Sequence, residues 1–509
     1  MNRKSLFGAL FTVYLLFVLY PILRADRYCN DDLMRVLWGP YIWVDNGRPL
    51  SALLMRALEF NATQLVDISP LPQIAAIAIL AWLGVLIAEH YAIRSLSLAV
   101  MVTLPLGAQP FFLENLSYRF DALPMALSLL FALLPITAPN PNRRWWLGSL
   151  SLFACLCFYQ PAINAFLVFV CLDIAVAQIH GVHPRELLIR LLSRGAQLGL
   201  AMAVYQLTVA PFIIGWVKAH SLMIHSPQQL SIVRTNVSMF YGYLFDAFDT
   251  SWLHIFAPLA VLALLIPVVI GVRYALSARH EHPLLLTAAL LLGSGLLPLA
   301  AMLCVAGPML LTLELLVVPR VLVGIGALLS AALIAMGVAL HTWRASPRWS
   351  IGIAGIWTLG MLVFANVYGN ALGSQKQFED RIGAGLVDDL AQAKAAYGLH
   401  RLLLDGTNGL SPVAAHALRH RPGRHSLADR FQPYCRATVG ASLQTACAAY
   451  PQQLRTTRGR RYRGGDFSSR SPAGMYIDDA SDSLNPPHCR AHARSSGPIK
   501  RLRCARRAR

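Results

Sequence analysis

The sequence predicts an all-α polytopic membrane protein. Of its 509 residues, 56% are apolar and only 14% are charged, and the mean hydropathy is +0.50. A single water-soluble core cannot bury that much apolar surface. Apolar windows of roughly the 20 residues that a spanning helix needs recur along most of the chain. They are too long and too uniform for the strands of a membrane barrel.

The apolar windows predict about eleven transmembrane helices, from the length that a bilayer requires. The first window follows Arg3 and Lys4 and has no small-residue cleavage site, so we expect an uncleaved span with a cytoplasmic N-terminus. Short basic loops then alternate onto the cytoplasmic side, and the odd number of spans places the C-terminus on the opposite side. The predicted spans are residues 5–23, 72–90, 96–110, 123–138, 147–161, 163–181, 196–215, 253–275, 284–306, 321–341 and 351–369.

The loops on the outer side differ from the short basic ones. They are longer, mix acids with arginines, and contain proline, glycine and aromatic residues, so they are the expected location of the chemistry. A surface helix is predicted around residues 50–60 in the first of them. The predicted transmembrane domain covers residues 1–370, with outer loops at 24–71, 108–122, 216–252 and 307–320.

Two further segments follow the last predicted span. Residues 371–455 predict a small α/β appendage on the outer side, with an amphipathic helix over 376–397 and a strand over 399–404. Residues 456–509 are rich in arginine and lack periodicity, which predicts disorder. Much of the net charge of +19 lies in this tail. We therefore predict a solvated tail, with anionic lipid or polysaccharide as the alternative ligand, and no nucleic-acid partner.

Two acidic clusters are the candidate catalytic groups. Asp31 and Asp32 follow the first span directly, and Glu114 and Asp121 lie in the second outer loop. Adjacent carboxylates at a helix end can act as a general base toward a sugar hydroxyl or hold a divalent cation, although the sequence requires no cofactor. The alternative is structural, because either aspartate of the pair could cap a helix that begins near Leu33.

Basic residues near these acids are the candidate phosphate ligands. Arginine forks give bidentate bonds to a phosphate, but they also form salt bridges with loop carboxylates. An arginine close to a long apolar span should have a partner, and Arg320 is in that position. The candidate ligands are Arg35, Arg48, Arg119 and Arg320, together with Lys218 and His220 of the third outer loop.

Aromatic residues also cluster in the outer loops. They predict either a belt at the membrane interface or a platform for sugar rings, and the belt is favoured because such residues are common at both interfaces. They are Trp38, Tyr41, Trp43, Tyr118, Tyr241, Tyr243 and Trp252.

Four motifs carry a resemblance to a known family. They are Asn30-Asp31-Asp32 with Arg35, Asn46-Gly47-Arg48-Pro49-Leu50, the block from Pro110 to Asp121, and Phe158-Tyr159-Gln160-Pro161-Ala162. Over about residues 1–405 the chain resembles the type II family of serotype-converting glucosyltransferases (Gtr, type II). The arginine-rich tail does not look like that family.

This resemblance implies a GT-C-like glycosyltransferase that depends on a lipid carrier. It would move glucose from undecaprenyl-phosphate glucose to the O-antigen of lipopolysaccharide, on the periplasmic face of a bacterial inner membrane. A flippase for the lipid-linked sugar and a cytoplasmic donor synthase are the implied companions. By position in the motifs, Asp31 or Asp32 would be the catalytic base, supported by Glu114 and Asp121.

The chemistry of the candidate residues agrees with an inverting displacement. A lipid phosphate leaves with its charge already formed, so one carboxylate can suffice to activate the acceptor. A transporter or lipid-linked sugar flippase is the alternative, and a polymerising membrane protein of the same pathway is a third. Transporters place charges near the middle of the membrane, often in repeats, whereas these charges gather at one face.

Overall fold

The molecule is a bundle of helices, as the sequence predicts. The computed structural model describes residues 2–29, 31–60, 63–138, 145–246, 250–277, 284–397, 403–405, 409–419, 489–492 and 503–504. The helices are α1 (Arg3–Ala25), α2 (Asp31–Trp38), α3 (Pro49–Leu58), α4 (Leu71–His90), α5 (Leu96–Ala108), α6 (Phe112–Ser117), α7 (Ala122–Thr137), α8 (Trp145–Phe158), α9 (Ile163–Ile179), α10 (Pro184–Thr208), α11 (Gly215–Ser221), α12 (Leu230–Asp246), α13 (Thr250–Ser277), α14 (Leu284–Ala306), α15 (Val323–Thr342), α16 (Pro347–Tyr397) and α17 (Pro412–Arg419).

Eight stretches in the described part of the chain are helical, long and apolar enough to cross a membrane. They belong to α1, α4, α9, α10, α13, α14, α15 and α16. The shorter apolar helices α5, α7 and α8 coincide with the three remaining predicted spans. The polytopic, all-α class is therefore confirmed, and the count of eleven stays a prediction. Helices satisfy every backbone polar group internally, which a lipid environment demands.

The bundle core joins helices from distant parts of the chain. Buried side chains of α1, α4, α7, α9 and α15 belong to one apolar cluster. Two glycines let α15 come close to its neighbours. A Cβ on Gly324 would lie 2.4 Å from the carbonyl oxygen of Val305, and one on Gly326 would lie 2.5 Å from that of Pro105. Small residues at such contacts are typical of helix packing in membranes.

The last predicted span and the predicted appendage helix form one helix. The α16 helix runs without interruption for 51 residues from Pro347 to Tyr397, so no break occurs near residue 370. No proline follows Pro347 within this stretch, and the α-helical backbone can therefore continue past the apolar segment. The outer half of α16 extends beyond the membrane-length segment and lies against the first outer loop.

The other elements outside the bundle are short. The predicted surface helix is present as α3, and the third outer loop contains α11 and α12. The strand β1 (Leu403–Asp405) overlaps the predicted strand, pairs in parallel with β2 (Cys489–His492), and β2 pairs antiparallel with β3 (Arg503–Cys504). The rest of the arginine-rich tail lies outside the described residues, so its disorder stays a prediction.

Candidate active site

The paired aspartates lie inside a helix rather than before it. Asp31 and Asp32 occupy the first turn of α2, where the helix dipole favours acidic side chains. The Asp32 N–H donates to the carbonyl oxygen of Cys29 at 2.7 Å. Asp32 faces the protein interior and is 0% exposed, whereas Asp31, one position earlier, is partly exposed. The two neighbours therefore have different environments.

Asp32 belongs to a buried polar cluster with Arg35 and Asp121. Arg35 donates to Asp121 Oδ2, and its Nη1 is 3.9 Å from Asp32 Oδ1. The Trp43 indole N–H also donates to Asp121, and the Arg35 guanidinium lies over the Trp43 ring at 4.4 Å. The cluster therefore brings together residues from the first and second outer loops.

The two carboxyl groups of this cluster, Asp32 and Asp121, differ in their pKa. Burial alone would raise the pKa of Asp121, but Arg35 and then Arg48 outweigh it and lower the pKa below its usual value. Burial raises the pKa of Asp32 to about 8, although Arg35 and the Arg119 N–H oppose the shift. Arg35 pairs with Asp121, so Asp32 lacks a full counter-charge at hydrogen-bonding distance. Asp32 Oδ1 has no hydrogen-bond partner in the described part of the chain.

Arg119 connects the first two outer loops. Its backbone N–H donates to Asp32 Oδ2 at 2.8 Å, and its Nη1 donates to Asp67 Oδ2 at 2.8 Å. Its Nη2 reaches Asp26, and its guanidinium lies 4.0 Å from the centre of the Tyr28 ring. The predicted phosphate ligand is thus held by two carboxylates.

Arg320 is paired in the same way with Glu114. The Glu114 carboxylate accepts from the Arg320 backbone N–H at 2.9 Å and from its Nη1 at 3.2 Å. The same Nη1 donates to the Tyr118 hydroxyl at 2.8 Å. Burial works against the charge of Arg320, yet Tyr118 and Glu114 outweigh it and raise the pKa of Arg320 above its usual value. Arg320 is therefore held in its charged form by the second outer loop.

Arg48 has a different environment. Its Nε donates to Gln160 Oε1 at 3.1 Å, and its guanidinium lies 4.6 Å from the centre of the Tyr159 ring. Within the described ranges, no carboxylate lies within ion-pair distance of Arg48. The described side chains that contact the Arg48 guanidinium are therefore neutral.

The Asn-Gly-Arg motif shapes the backbone at Arg48. Gly47 has a φ of +71°, and a Cβ there would lie 2.4 Å from the Tyr205 hydroxyl oxygen. Gln160 Nε2 donates to the carbonyl oxygens of Asn46 at 3.0 Å and Gly47 at 3.2 Å. Hydrogen bonds thus join the motif at 46–48 and the motif at 158–162 into one structure.

The remaining predicted ligands lie apart from this cluster. Lys218 and His220 are on α11, and the described contacts include none between them and the acids or arginines above. His220 Nε2 is 3.9 Å from Glu314, and its ring lies against Trp216. The third and fourth outer loops pair through Met223 and Thr312. The prediction that Lys218 and His220 bind the same phosphate gains no support from these contacts.

The sequence predicts the wrong role for two residues of the site and gives no role to three others. Trp43 and Tyr118 are 0% and 1% exposed, so the predicted interfacial belt is wrong for these two residues, and both contact charged groups instead. Tyr28, Asp26 and Asp67 were not singled out, although they hold Arg119. Asp26 and Tyr28 lie within five residues of Asp31, which is the only signal that the sequence offers for them, and it offers none for Asp67. No group of three or more His, Cys, Asp or Glu side chains suited to a metal ion occurs among the described residues.

The outer-loop motifs now have a spatial arrangement that can be compared with known proteins. The sequence profile described as "Glucosyl transferase GtrII" matches residues 20–331, more than half of the chain. The chain belongs to the GtrII glucosyl transferase family. The match includes every candidate residue of the GtrII site named above, from Asp31 to Arg320. It ends before α16.

One relative supports the GtrII assignment over part of the chain. It is a Salmonella phage P22 protein described as "Uncharacterized 55.3 kDa protein in gtrB 5'region", and it is 31% identical over 170 residues. The alignment covers 33% of this chain and 35% of the relative, so the chain spans about a third of that protein's length. No solved structure matches this GtrII protein significantly.

Proposed function

We propose that this protein transfers glucose from undecaprenyl-phosphate glucose to the O-antigen of lipopolysaccharide, or a related surface polysaccharide, on the periplasmic face of a bacterial inner membrane. The observation that carries the proposal is Arg48 held by the neutral side chains of Gln160 and Tyr159, in an outer-loop site that also contains Asp31, in a chain of the GtrII family. This transfer needs a carboxylate to accept the proton of the acceptor hydroxyl. It also needs a cation that is not already paired with a carboxylate, to bind the donor phosphate.

Asp31 is the proposed catalytic base. A base must reach the acceptor hydroxyl, and Asp31 is partly exposed while Asp32 is fully buried. The raised pKa of Asp32, about 8, also favours its neutral form at neutral pH, which cannot accept a proton. Asp32 instead orients α2 through the Arg119 N–H. Glu114 and Asp121 support the site by holding Arg320 and Arg35.

Arg48 is the proposed ligand of the donor phosphate. Arg35, Arg119 and Arg320 each have a carboxylate partner, so a phosphate would have to compete with an existing ion pair. Among the described residues, the Arg48 side chain donates from Nε to a neutral amide, and its terminal nitrogens are the atoms proposed to make a bidentate contact with the phosphate. Arg119 and Arg320 would then contribute positive potential rather than direct bonds.

The proposed reaction is an inverting displacement. The acceptor hydroxyl loses its proton to Asp31 while its oxygen bonds to the anomeric carbon of glucose. The bond from that carbon to the phosphate oxygen breaks, and undecaprenyl phosphate leaves as an anion beside Arg48. General base assistance of this kind contributes on the order of a hundred- to ten-thousand-fold in rate.

Charge and cysteine chemistry support the proposed side of the membrane. Arg94, Arg185 and Arg344 lie at the bundle end opposite the site in the proposed topology, as the positive-inside bias requires for the cytoplasm. Cys29, in the first outer loop, is disulfide-bonded, which fits an oxidising periplasm. A donor made in the cytoplasm would need a synthase and a flippase as companions.

The test is transfer of labelled sugar from polyprenyl-phosphate glucose to acceptor polysaccharide in membranes. Asp31→Asn should lose activity by the factor above at unchanged abundance, and Asp45→Asn, which changes an exposed carboxylate in the same loop, should keep it. Full activity of Asp31→Asn would overturn its role as base. Movement of the donor across the membrane without transfer would instead support the flippase alternative.

A further inference from the structure

The outer half of α16 contacts the loop that carries the paired aspartates. Arg27 Nη2 donates to Glu379 Oε1 at 2.9 Å and to Oε2 at 3.0 Å, and Nε reaches Oε2 at 3.3 Å. The two side chains are only 7% and 8% exposed. Arg27 is four residues before Asp31, whereas Glu379 lies beyond residue 331, where the GtrII match ends.

The side chain of Gln375 holds the Glu379 carboxylate in place. Gln375 Nε2 donates to Glu379 Oε1 at 2.9 Å and to the Gly409 carbonyl oxygen at 3.0 Å. Gln375 Oε1 accepts from the Ser411 N–H at 2.8 Å. Burying two charges is unfavourable unless their geometry and hydrogen bonds compensate, and here both requirements are met. The pair therefore fixes one orientation of Arg27.

Further contacts join α16 to the first and second outer loops. Leu372 packs against the buried side chains of Cys29 and Tyr118. The Tyr368 and Ser117 hydroxyls are 3.1 Å apart. Cys29 belongs to the first outer loop and accepts from the Asp32 N–H, while Tyr118 contacts Arg320. The α16 helix thus lies behind the segment that presents Asp31.

We propose that Glu379 is a positioning residue for glucosyl transfer. Through Arg27 it holds residues 27–29 against α16, and so fixes the start of α2, where Asp31 lies. This inference rests on the proposed function. The next residue on the same helix supplies a contrast, because Asp380 pairs with Lys376 at the surface, with exposed fractions of 59% and 35%.

The experiment compares Glu379→Gln with Asp380→Asn in full-length protein in membranes. Three quantities are measured: the rate of trypsin cleavage after Arg27 from the outer face, and kcat and KM for polyprenyl-phosphate glucose. In Glu379→Gln we expect faster cleavage and a kcat lower by about 10- to 100-fold with KM unchanged, since small misplacements of a reacting group have effects of that size. Asp380→Asn should match wild type in all three.

The outcomes separate this inference from the proposed function. Wild-type cleavage and kcat in Glu379→Gln would overturn the positioning role while leaving glucosyl transfer intact. If the wild type transfers no glucose but Glu379→Gln is still cleaved faster, the proposed function is wrong. The role of Glu379 in holding Arg27 would then still stand.

A second variant covers the case in which Glu379→Gln fails to accumulate. Arg27→Met with Glu379→Met leaves no buried charge unpaired, so it should fold. It lacks the directed ion pair, and we expect its kcat to fall while KM is unchanged. A wild-type kcat in this double variant would overturn the proposal.

Discussion

The Asp32 carboxylate accepts a hydrogen bond from the backbone N–H of Arg119 at 2.8 Å. This contact joins two outer loops that are separated in sequence by the helices α4 and α5. It also leaves Asp32 buried beside an arginine whose charge Asp121 already balances. The stability of the site should therefore depend on the protonation of Asp32.

Stability should fall with rising pH because of Asp32. Its pKa is raised from 3.8 to about 8 in the folded protein, so between these values the folded state binds more protons than the unfolded state. The contribution is full below about pH 4 and is lost as pH rises through 8, with a slope of at most about 1.4 kcal/mol per pH unit.

Asp32→Asn tests this dependence, because asparagine keeps the acceptor for Arg119 and does not ionise. We expect the thermal unfolding midpoint of the solubilised variant, relative to that of wild type, to rise as the pH increases from 5 to 8. Asp45→Asn, at an exposed site, should follow wild type. Parallel curves for Asp32→Asn and wild type would contradict the buried, neutral carboxyl.

Replacement of Asp121 should destabilise the first loop. Asp121→Asn removes the carboxylate that pairs with Arg35, which is 1% exposed. Breaking one side of a buried ion pair costs about 3–5 kcal/mol. The measurement is the unfolding midpoint, with Asp380→Asn as the control at an exposed ion pair. A small change equal to that of the control would show that Arg35 finds another partner.

Replacement of Arg48 should weaken binding of the donor. Arg48→Lys keeps the charge but loses the planar fork over Tyr159, so we expect a higher KM for polyprenyl-phosphate glucose at unchanged stability. The control is Arg56→Lys, since Arg56 lies over the Tyr41 ring at 4.9 Å on the exposed side of α3. Equal KM values for both variants would argue against Arg48 as the phosphate ligand.

A side chain at Gly47 should disturb the same site. Alanine there would adopt a left-handed conformation, at about 1–2 kcal/mol, and its Cβ would collide with the Tyr205 hydroxyl. Gly47→Ala should therefore lower the unfolding midpoint and raise the donor KM. Gly8→Ala is the control, because no atom lies within 4 Å of a Cβ at Gly8. Adding Tyr205→Phe should relieve the collision with the hydroxyl, but not the one with the Ile213 side chain at 2.8 Å or the strain of the left-handed backbone.

The sequence alone determined the class of the protein, and it predicts the side of the membrane on which the candidate chemistry gathers. Long apolar windows form helices in lipid because no other local structure satisfies their backbone, and that rule needs no knowledge of distant contacts. The motifs around Asp31, Arg48, Glu114 and Arg119 were recognisable because each is continuous in the chain. Their family was therefore predictable as well.

Only the tertiary structure decided which charges remain available. Arg35 meets Asp121 across 86 positions, Arg320 meets Glu114 across 206, and Arg27 meets Glu379 across 352. Composition and spacing cannot reveal such pairs, because each depends on how whole helices pack. Packing buried Asp32, left Asp31 partly exposed, and placed a carboxylate beside three candidate phosphate ligands, while Arg48 received a neutral amide.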